Sequence, residues 1–369
     1  MQQLGKKIEA GGRIDRTEAE WIYQNASDDQ LKHWATSVRN RFHRENEATY
    51  LIMAIVNYTN VCVAKCDYCA FYRLPHQEGT YLLTLPQLIQ KIDQLQDYGG
   101  TLVGFNGGFH PKLRLADYAK LFRSIREHYG SDLEFYEMTV AEFMFSCKLS
   151  KLSYDEGAAL LRDSGTKWVT GGGAEVLDDG FRRRHSPGKY TVEDYYLAQR
   201  AILDGGMGST ATMVIGFDET TTERFNHLER LRQFQDSTDR GLTSFLCWTY
   251  KPYNNELGGK EVSLKEYLRW LAVSRIYLDN FNHIRTSVLT KNEGALEGLL
   301  WGANDFDLPT EDEVTEKAGA TISTDFEEVL AHGRKLGFQL RHRQPFPVPQ
   351  RQPRKPIGDI VNSMEAEVT

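Results

Sequence analysis

The sequence predicts an α/β protein organised as a (β/α)8 barrel, and three observations support this prediction. Short apolar runs typical of buried parallel strands alternate with amphipathic helical stretches from residue 51 to residue 338. About eight strands can be counted in that range, which favours a closed barrel over an open sheet. The chain has 369 residues and a hydrophobic content of 40%, which is enough for one large core.

The chain begins with a polar segment of helical pattern, and we expect an N-terminal helical extension over residues 1–50. Thr17-Glu-Ala-Glu20 has the spacing of a capping box, and Asp28-Asp29 precedes a second helical stretch. The first strand is the mostly apolar run Leu51-Ile-Met-Ala-Ile-Val-Asn57. The later predicted strands cover residues 101–105, 133–138, 167–170, 211–215, 243–248, 284–289 and 299–303.

Amphipathic helices are predicted between these strands. One of them begins at Thr84 and ends at Gly99-Gly100. No linker interrupts residues 51–338, so this range is predicted to form a single barrel domain. Residues 339–369 contain a segment rich in proline and basic residues, and they are predicted to form a flexible, irregular tail.

Composition indicates the compartment and the class of partner. The formal net charge of −7 provides no global basic field, so we expect no nucleic-acid partner and no attraction to membranes. The N-terminus lacks an apolar signal segment, and no apolar run approaches the ~18–20 residues of a spanning helix. The five cysteines form no disulfide framework, which fits a reducing cytoplasm. We expect a cytoplasmic protein that acts on a small molecule.

Cys62, Cys66 and Cys69 lie within eight residues, directly after the first predicted strand. A structural zinc site needs four ligands, and no second pair of cysteines completes one here. Iron–sulfur clusters bind closely spaced thiolates, and three thiolates on a [4Fe-4S] cluster leave one iron open for another ligand. We favour such a cluster. A non-catalytic iron–sulfur or zinc-binding protein is the alternative from another class.

Several polar or glycine-rich segments follow the later strands, where a barrel carries its active site. Asn106-Gly107-Gly108 and Gly171-Gly172-Gly173 would let the backbone approach a ligand closely, with a plain turn as the alternative for the first. Three carboxylates at predicted strand ends are further candidate site residues, namely Glu142, Glu175 and Asp305.

Aromatic and amide side chains at strand ends are candidates for substrate contact. Trp248 and Tyr250 end one predicted strand, and such a pair suits stacking on a planar group, with packing at the barrel mouth as the alternative. Asn304 follows the last predicted strand, with a helix cap as the alternative.

The order of these motifs resembles the radical S-adenosylmethionine superfamily over roughly residues 1–338. The resemblance is to the branch that contains the futalosine-pathway menaquinone enzymes and the deazaflavin (F420) synthase subunits. The motifs that carry it are Asn57-Tyr-Thr-Asn-Val-Cys62, Cys66-Asp-Tyr-Cys69-Ala-Phe-Tyr-Arg73, Gly171-Gly-Gly-Ala-Glu175, Thr210-Ala-Thr-Met213, Gln235-Asp236 and Gly302-Ala-Asn-Asp305. The chain departs from the branch pattern at Asn106, Phe217, Cys247 and residues 307–310, mostly on the expected substrate side.

The resemblance implies a [4Fe-4S] cluster on the three cysteines, a bound S-adenosylmethionine, and a one-electron donor such as flavodoxin or ferredoxin. Trp248, Tyr250 and Asn304 would then contact a nucleoside-derived substrate. The cofactor-binding residues would be Tyr68, Asn106, Gly107, Gly108, Thr139, Gly171, Gly172, Gly173 and Thr212.

Within the branch, Thr210-Ala-Thr-Met213 and Trp248-Thr-Tyr-Lys-Pro252 favour the members that cyclise dehypoxanthine futalosine in menaquinone biosynthesis. In that reaction a 5′-deoxyadenosyl radical takes a hydrogen from the ribose C4′, and the ribosyl radical closes a ring on the substrate's own aromatic group. Loss of one electron and a proton then gives the product, and Glu142, Glu175 and Asp305 are candidates of equal weight for the base that takes this proton. An aminofutalosine synthase or an F420-synthase-like ligation enzyme is the second enzymatic interpretation.

Overall fold

The strands follow the predicted alternation, in a computed structural model that describes residues 2–349. In chain order they are β1 (Glu47–Val56), β2 (Leu102–Phe105), β3 (Glu134–Tyr136), β4 (Met138–Thr139), β5 (Val169–Thr170), β6 (Ser209–Ile215), β7 (Leu242–Thr249), β8 (His283–Thr286), β9 (Asp305–Asp312) and β10 (Gln339–His342).

The helices lie between and around these strands. They are α1 (Gln2–Glu9), α2 (Arg16–Asn25), α3 (Asp28–Arg39), α4 (Leu85–Asp97), α5 (Leu115–Tyr129), α6 (Val140–Ser150), α7 (Tyr154–Asp163), α8 (Asp179–His185), α9 (Val192–Asp204), α10 (Thr221–Ser237), α11 (Leu264–Tyr277), α12 (Val288–Lys291), α13 (Glu313–Lys317) and α14 (Phe326–Lys335), together with a 3-10 helix over Asn292–Trp301. Within residues 2–349, no helix is both long enough and apolar enough to cross a membrane.

The sheet is parallel throughout and curls into a partial barrel, which confirms the predicted α/β barrel class, although the main sheet itself is not closed over the described residues. Its strands follow the order β3-β2-β1-β9-β8-β7-β6, and β10 pairs with the first residues of β1. The short pair β4–β5 lies between β3 and β6 in the chain, and an isolated bridge joins Trp168 to Gly208 beside β6. Because all strands point the same way, their carboxyl ends open on one face.

Apolar residues on the outer face of the barrel form the core with the surrounding helices. One large cluster joins β6–β9 to α10, α11 and the N-terminal helices, and a second joins β1–β3 to α4–α9. The N-terminal extension belongs to the first cluster, where the ring of Tyr23 lies 5.4 Å from that of Trp270. Helix α2 begins two residues earlier than predicted, because Asp15 and Glu18 form its capping box instead of Thr17 and Glu20.

The last barrel strand is not where the sequence predicted it. Residues 299–301 belong to the 3-10 helix, residues 302 and 303 follow it, and the strand is β9, which begins at Asp305. Asn304 and Asp305 therefore stand at the start of a strand, at the end of the barrel opposite to the cysteines. The expectation that these two residues lie at the barrel mouth is wrong.

The predicted boundary of the tail is also wrong, because residues 339–349 are part of the barrel. Strand β10 pairs with β1, and the guanidinium of Arg343 donates two hydrogen bonds of 2.7 Å to Asp305. Phe346 and Val348 pack against a small apolar cluster that includes Leu51 and Trp168. The rest of the predicted tail, residues 350–369, lies outside the described residues.

We expect Phe346→Ala to lower the free energy of unfolding by about 1–2 kcal/mol, because a half-buried phenyl ring leaves its contacts. The ring lies 3.7 Å from the Arg343 guanidinium and 4.3 Å from the His283 ring. Chemical denaturation of the variant measures the loss. A truncation that removes only residues 351–369 is the control and should leave the midpoint unchanged. An unchanged midpoint for the Phe346 variant would show that the segment contributes nothing to stability.

Candidate active site at the mouth of the barrel

A cavity of about 350 Å³ opens at the carboxyl ends of the strands. This is the face on which barrel enzymes carry their active sites. The predicted site residues that line it are Cys62, Cys66, Cys69, Tyr68, Asn106, Gly107, Gly108, Thr139, Glu142, Gly172, Gly173, Glu175, Thr212, Trp248 and Tyr250. Gly171, Asn304 and Asp305 do not line it.

The loop that carries the three cysteines, residues 62–69 and here called the cysteine loop, is packed closely onto the backbone that follows β2. The Gly108 N–H donates to the Thr59 carbonyl at 3.0 Å, and the Val63 N–H donates to the Phe109 carbonyl at 3.2 Å. A Cβ atom at Gly108 would lie 2.3 Å from the Val61 carbonyl oxygen and 2.7 Å from the Cys62 Cβ. Glycine is therefore required at 108 by this close approach.

The three thiols are free and face the same cavity, with Cys66 buried and the other two partly exposed. Burial raises the pKa of Cys66 to about 12 and also raises the pKa of Cys69. Binding a cluster therefore has to release the thiol protons. Among the described residues, no three His, Cys, Asp or Glu side chains are already arranged to hold a metal ion. The residues nevertheless fit a cluster, because three adjacent thiols share one cavity that has room for a further ligand.

A buried histidine fastens the cysteine loop to the barrel. Asp67 stands between Cys66 and Cys69, and its Oδ2 lies 2.9 Å from His185 Nδ1. The other ring nitrogen of His185 lies 2.6 Å from Asp218 Oδ1, beyond the end of β6. The Asp67 N–H also donates to the His185 carbonyl at 3.1 Å. His185 was not predicted from the sequence, although an Asp between two cysteines is a signal that the loop needs a polar partner.

We expect His185→Gln to loosen this loop, because the imidazole bridges two carboxylates that glutamine cannot reach together. Iron should be lost from the reconstituted variant several-fold faster than from the parent protein, measured by iron content after repeated gel filtration under anaerobic conditions. His33→Gln is the control, since the His33 side chain is 67% exposed. Equal rates of iron loss for the two variants would rule out a role for the bridge in holding the loop.

Glu142 is fully occupied by internal hydrogen bonds. Its Oε1 accepts from the Gly107 N–H at 2.9 Å and from the Tyr58 hydroxyl, and its Oε2 accepts from the Thr139 N–H and hydroxyl at 2.9 and 2.6 Å. Burial raises the pKa of Glu142, while these donors lower it. With both oxygens engaged twice, Glu142 positions the Gly107 backbone and caps α6, and the geometry does not favour it as the base.

Glu175 keeps one oxygen free. Its Oε1 accepts from Lys189 Nζ at 2.7 Å, whereas its Oε2 is buried and has no partner within residues 2–349. The backbone of Glu175 has a φ of +42°, an uncommon value for a residue with a side chain, and such outliers cluster at functional sites. Lys189 Nζ also lies 5.7 Å from the ring centre of Tyr68. Lys189 was not predicted from the sequence.

Aromatic rings form one wall of the cavity. The rings of Phe217 and Tyr250 lie 4.5 Å apart, and Tyr68 is 5.0 Å from Phe217 on the other side. Trp248 is half-buried near the end of β7 and lines the same cavity. Phe217 was noticed in the sequence only as a departure from a family pattern, and the structure makes it the centre of this aromatic wall.

The three predicted site residues that do not line the cavity, Gly171, Asn304 and Asp305, make contacts within the protein instead. The Gly171 carbonyl accepts from the Thr212 hydroxyl at 2.6 Å. Asn304 Oδ1 accepts from the Arg275 guanidinium at 2.7 Å. Burial alone would raise the pKa of Asp305, but Arg343 and Arg285 hold it below the ordinary value. Asp305 is therefore an ion-paired carboxylate below the cavity, and it is not placed to take a proton from a substrate.

Comparison with known proteins agrees with this geometry. A family model described as "Radical SAM superfamily" matches residues 56–231, and one described as "CofH/MqnC C-terminal region" matches residues 239–353. The chain is 34% identical over 331 residues to the cyclic dehypoxanthine futalosine synthase of Halalkalibacterium halodurans, covering 89% of each chain. The chain belongs to the radical S-adenosylmethionine superfamily. Enzymes of this superfamily use a [4Fe-4S] cluster and S-adenosylmethionine, so both cofactors are assigned to the chain.

Other relatives lie in the same branch. The cyclic dehypoxanthine futalosine synthase of Streptomyces coelicolor is 34% identical over 344 residues, covering 91% of this chain and 86% of its own length. The aminodeoxyfutalosine synthase of Thermus thermophilus is 32% identical over 326 residues, covering 86% of both chains.

Solved structures share the fold at low identity. Methylornithine synthase superposes with a TM-score of 0.69 and 16% identity, covering 92% of this chain and 97% of its own. The hydrogenase maturase HydG gives a TM-score of 0.70 at 15% identity, covering 92% of this chain and 74% of its own. These values support the barrel and carry no information on the substrate.

Proposed function

We propose that the protein cyclises dehypoxanthine futalosine to cyclic dehypoxanthine futalosine, a step of menaquinone biosynthesis. The observation that carries this proposal is the 34% identity to two cyclic dehypoxanthine futalosine synthases over 89% and 91% of the chain. The cavity supports it, because thiols, glycine backbone and an aromatic wall share one cavity at the barrel mouth.

On the side of β1–β5, Cys62, Cys66 and Cys69 would hold the cluster. The backbone at Gly107 and Gly108 would approach S-adenosylmethionine, with Tyr68, Asn106, Thr139, Gly172, Gly173 and Thr212 as the other cofactor contacts. Gly171 would act indirectly, through its hydrogen bond with Thr212. The chemistry that the cofactors supply is reductive cleavage of S-adenosylmethionine to a 5′-deoxyadenosyl radical, and flavodoxin or ferredoxin would provide the electron.

On the side of β6–β9, the protein would hold the substrate and exclude water. Trp248 and Tyr250 would pack against its planar group, because aromatic faces stack on flat rings. Proximity matters most here, since the ribose has to lie within reach of the radical and the aromatic ring within reach of the ribose. Of the three carboxylates predicted as a base, Glu175 lines the cavity with an unpartnered oxygen. We propose that it accepts the proton that the ring-closed radical loses together with one electron, which would pass to the oxidised cluster.

The second candidate is aminodeoxyfutalosine synthesis, and the observation that favours it is the 32% identity to the Thermus thermophilus enzyme. Both candidates would use the same cofactor half of the cavity. They differ in whether the radical acts within one molecule or joins two, so they are separated by the substrate and not by radical formation.

The experiment that tests the proposal is product analysis by mass spectrometry after anaerobic reconstitution and reduction. Dehypoxanthine futalosine is offered in one reaction and the substrates of aminodeoxyfutalosine synthase in a second. We expect 5′-deoxyadenosine together with a cyclised product in the first reaction only. A coupled product in the second reaction, without cyclisation in the first, would reject the proposal in favour of the second candidate.

A further inference from the structure

Strand β9 contains a bulge that selects which of its acidic residues faces the cavity. Met53 of β1 pairs with Pro309, but two residues later Ile55 pairs with Asp312 instead of Glu311, so β9 has one extra residue at this point. Such bulges occur at barrel rims and redirect side chains beside active sites. Here Glu311 points outward to Lys91 on α4, while Asp312 lines the cavity with Asp307 and Pro309.

Asp312 is a buried carboxylic acid with one oxygen that lacks a hydrogen-bond partner among the described residues. Its residue exposure is 4%, and its Oδ2 accepts a hydrogen bond from the Thr315 hydroxyl. Its Oδ1 is buried and has no partner in the part of the chain that the structure describes. A buried polar oxygen without a partner is costly, so its presence in a cavity indicates that a ligand supplies the missing donor.

Asp307 stands below Asp312 on the same strand and belongs to a balanced group of charges. It pairs with Arg285, whose Nε lies 3.2 Å from Asp305, and Asp305 also binds Arg343. Two guanidinium groups thus face two carboxylates. Asp307 Oδ1 is nevertheless left without a partner among residues 2–349. No positive charge of this group is free for an anionic ligand.

We propose that Asp312 binds a hydroxyl group of the substrate's sugar through its unpartnered Oδ1. This inference rests on the proposed function, since it assigns the ribose of the substrate to this part of the cavity. A sugar hydroxyl is a neutral donor, and it would satisfy the free oxygen of Asp312 without adding a charge. Thr249, Ser287 and Thr290 line the same cavity and are further neutral polar residues.

The protonation of Asp312 agrees with a neutral ligand. Burial raises its pKa to about 7, while Thr315 and the backbone at Val314 lower it and Glu316 raises it further. Near neutral pH the carboxyl group can therefore both accept and donate.

The test compares variants in the reconstituted holoenzyme without reductant, so that binding is measured without turnover. The probes are dehypoxanthine futalosine and its 2′-deoxy and 3′-deoxy analogues, with the dissociation constant obtained by isothermal titration calorimetry. We expect the parent protein to prefer the full substrate over at least one deoxy analogue by about tenfold or more, which corresponds to about 1.4 kcal/mol. Asp312→Ala should bind the full substrate correspondingly more weakly and should lose this preference.

Glu311→Gln is the matched control, because Glu311 is adjacent in the strand but faces away from the cavity; it should bind like the parent. Asp312→Asn keeps the size of the side chain and covers the case in which the alanine variant does not fold. Asp312 variants that keep both the parent affinity and the preference for the full substrate would overturn the inference, while cyclisation by the parent protein would leave the proposed function standing. A parent protein that neither binds nor converts dehypoxanthine futalosine would overturn the proposed function, and this inference with it.

Discussion

Replacing Cys62, Cys66 or Cys69 singly with alanine is expected to abolish formation of 5′-deoxyadenosine, because each thiolate would hold one iron of the cluster. Loss of one ligand should also reduce the iron content from about four atoms per chain and weaken the visible absorbance of the cluster. The measurements are iron content and absorbance after anaerobic reconstitution, followed by an assay for 5′-deoxyadenosine. The expected loss of activity is complete in all three variants.

Cys147→Ala is the control for this series. Cys147 is buried in the core between α6 and α7, away from the cavity, so the variant should keep both iron and activity. It should show only the modest loss of stability that follows removal of a buried sulfur. Full turnover in all three variants of the triplet, or loss of iron from the Cys147 variant, would mean that the ligand set is wrong.

Trp248→Ala is expected to separate radical formation from product formation. The indole lines the substrate side of the cavity, whereas the cysteine loop and the Gly107–Gly108 backbone are unchanged by the substitution. Loss of an aromatic stacking contact costs about 1–3 kcal/mol, and the upper part of that range corresponds to a more than tenfold loss of substrate affinity. We expect 5′-deoxyadenosine to continue to form while the cyclised product falls by more than about tenfold.

Both products are measured in one reaction, and Trp21→Ala is the control because Trp21 is 40% exposed on the N-terminal extension. A fall of both products in strict proportion would show that Trp248 supports the cofactor or the fold. If neither product fell, Trp248 would lose its value as a sign of the cyclising branch, and aminodeoxyfutalosine synthesis would gain weight as the function.

The barrel was predictable because buried parallel strands are apolar on both faces, as in Leu51–Val56 and Ala211–Ile215. Strand β9 was not, and its composition explains why. It contains Asp305, Asp307, Asp312 and a proline, features that ordinarily argue against a central strand. Its acidic side chains are tolerated inside because Arg285 and Arg343 neutralise two of them.

The cysteine triplet could be predicted from spacing because its ligands are local in the chain. The partners of the site come from distant segments and could not. Asp67 and His185 meet across 118 positions, and Tyr58 and Glu142 across 84. Sequence spacing gives no signal for such pairs. The bulge that brings Asp312 into the cavity depends on the register between two strands, which no local pattern specifies.

The misplacement of Asn304 and Asp305 has a related cause. The apolar run at 299–303 has the composition of a strand, but its first three residues belong to the 3-10 helix, and Leu299, Trp301 and Ala303 are buried in the outer core. Shifting the strand start to Asp305 moves both residues from one end of the barrel to the other. An error of a few residues in an element boundary therefore changed the predicted role of two side chains.

The most direct test of the central claim is a reaction with dehypoxanthine futalosine that carries deuterium at the ribose C4′. The reduced holoenzyme is incubated with this substrate and S-adenosylmethionine, and 5′-deoxyadenosine and the nucleoside product are analysed together by mass spectrometry. We predict that 5′-deoxyadenosine gains one deuterium and that the product is cyclised and has lost it. Formation of 5′-deoxyadenosine without deuterium, while the substrate remains unchanged, would contradict the account.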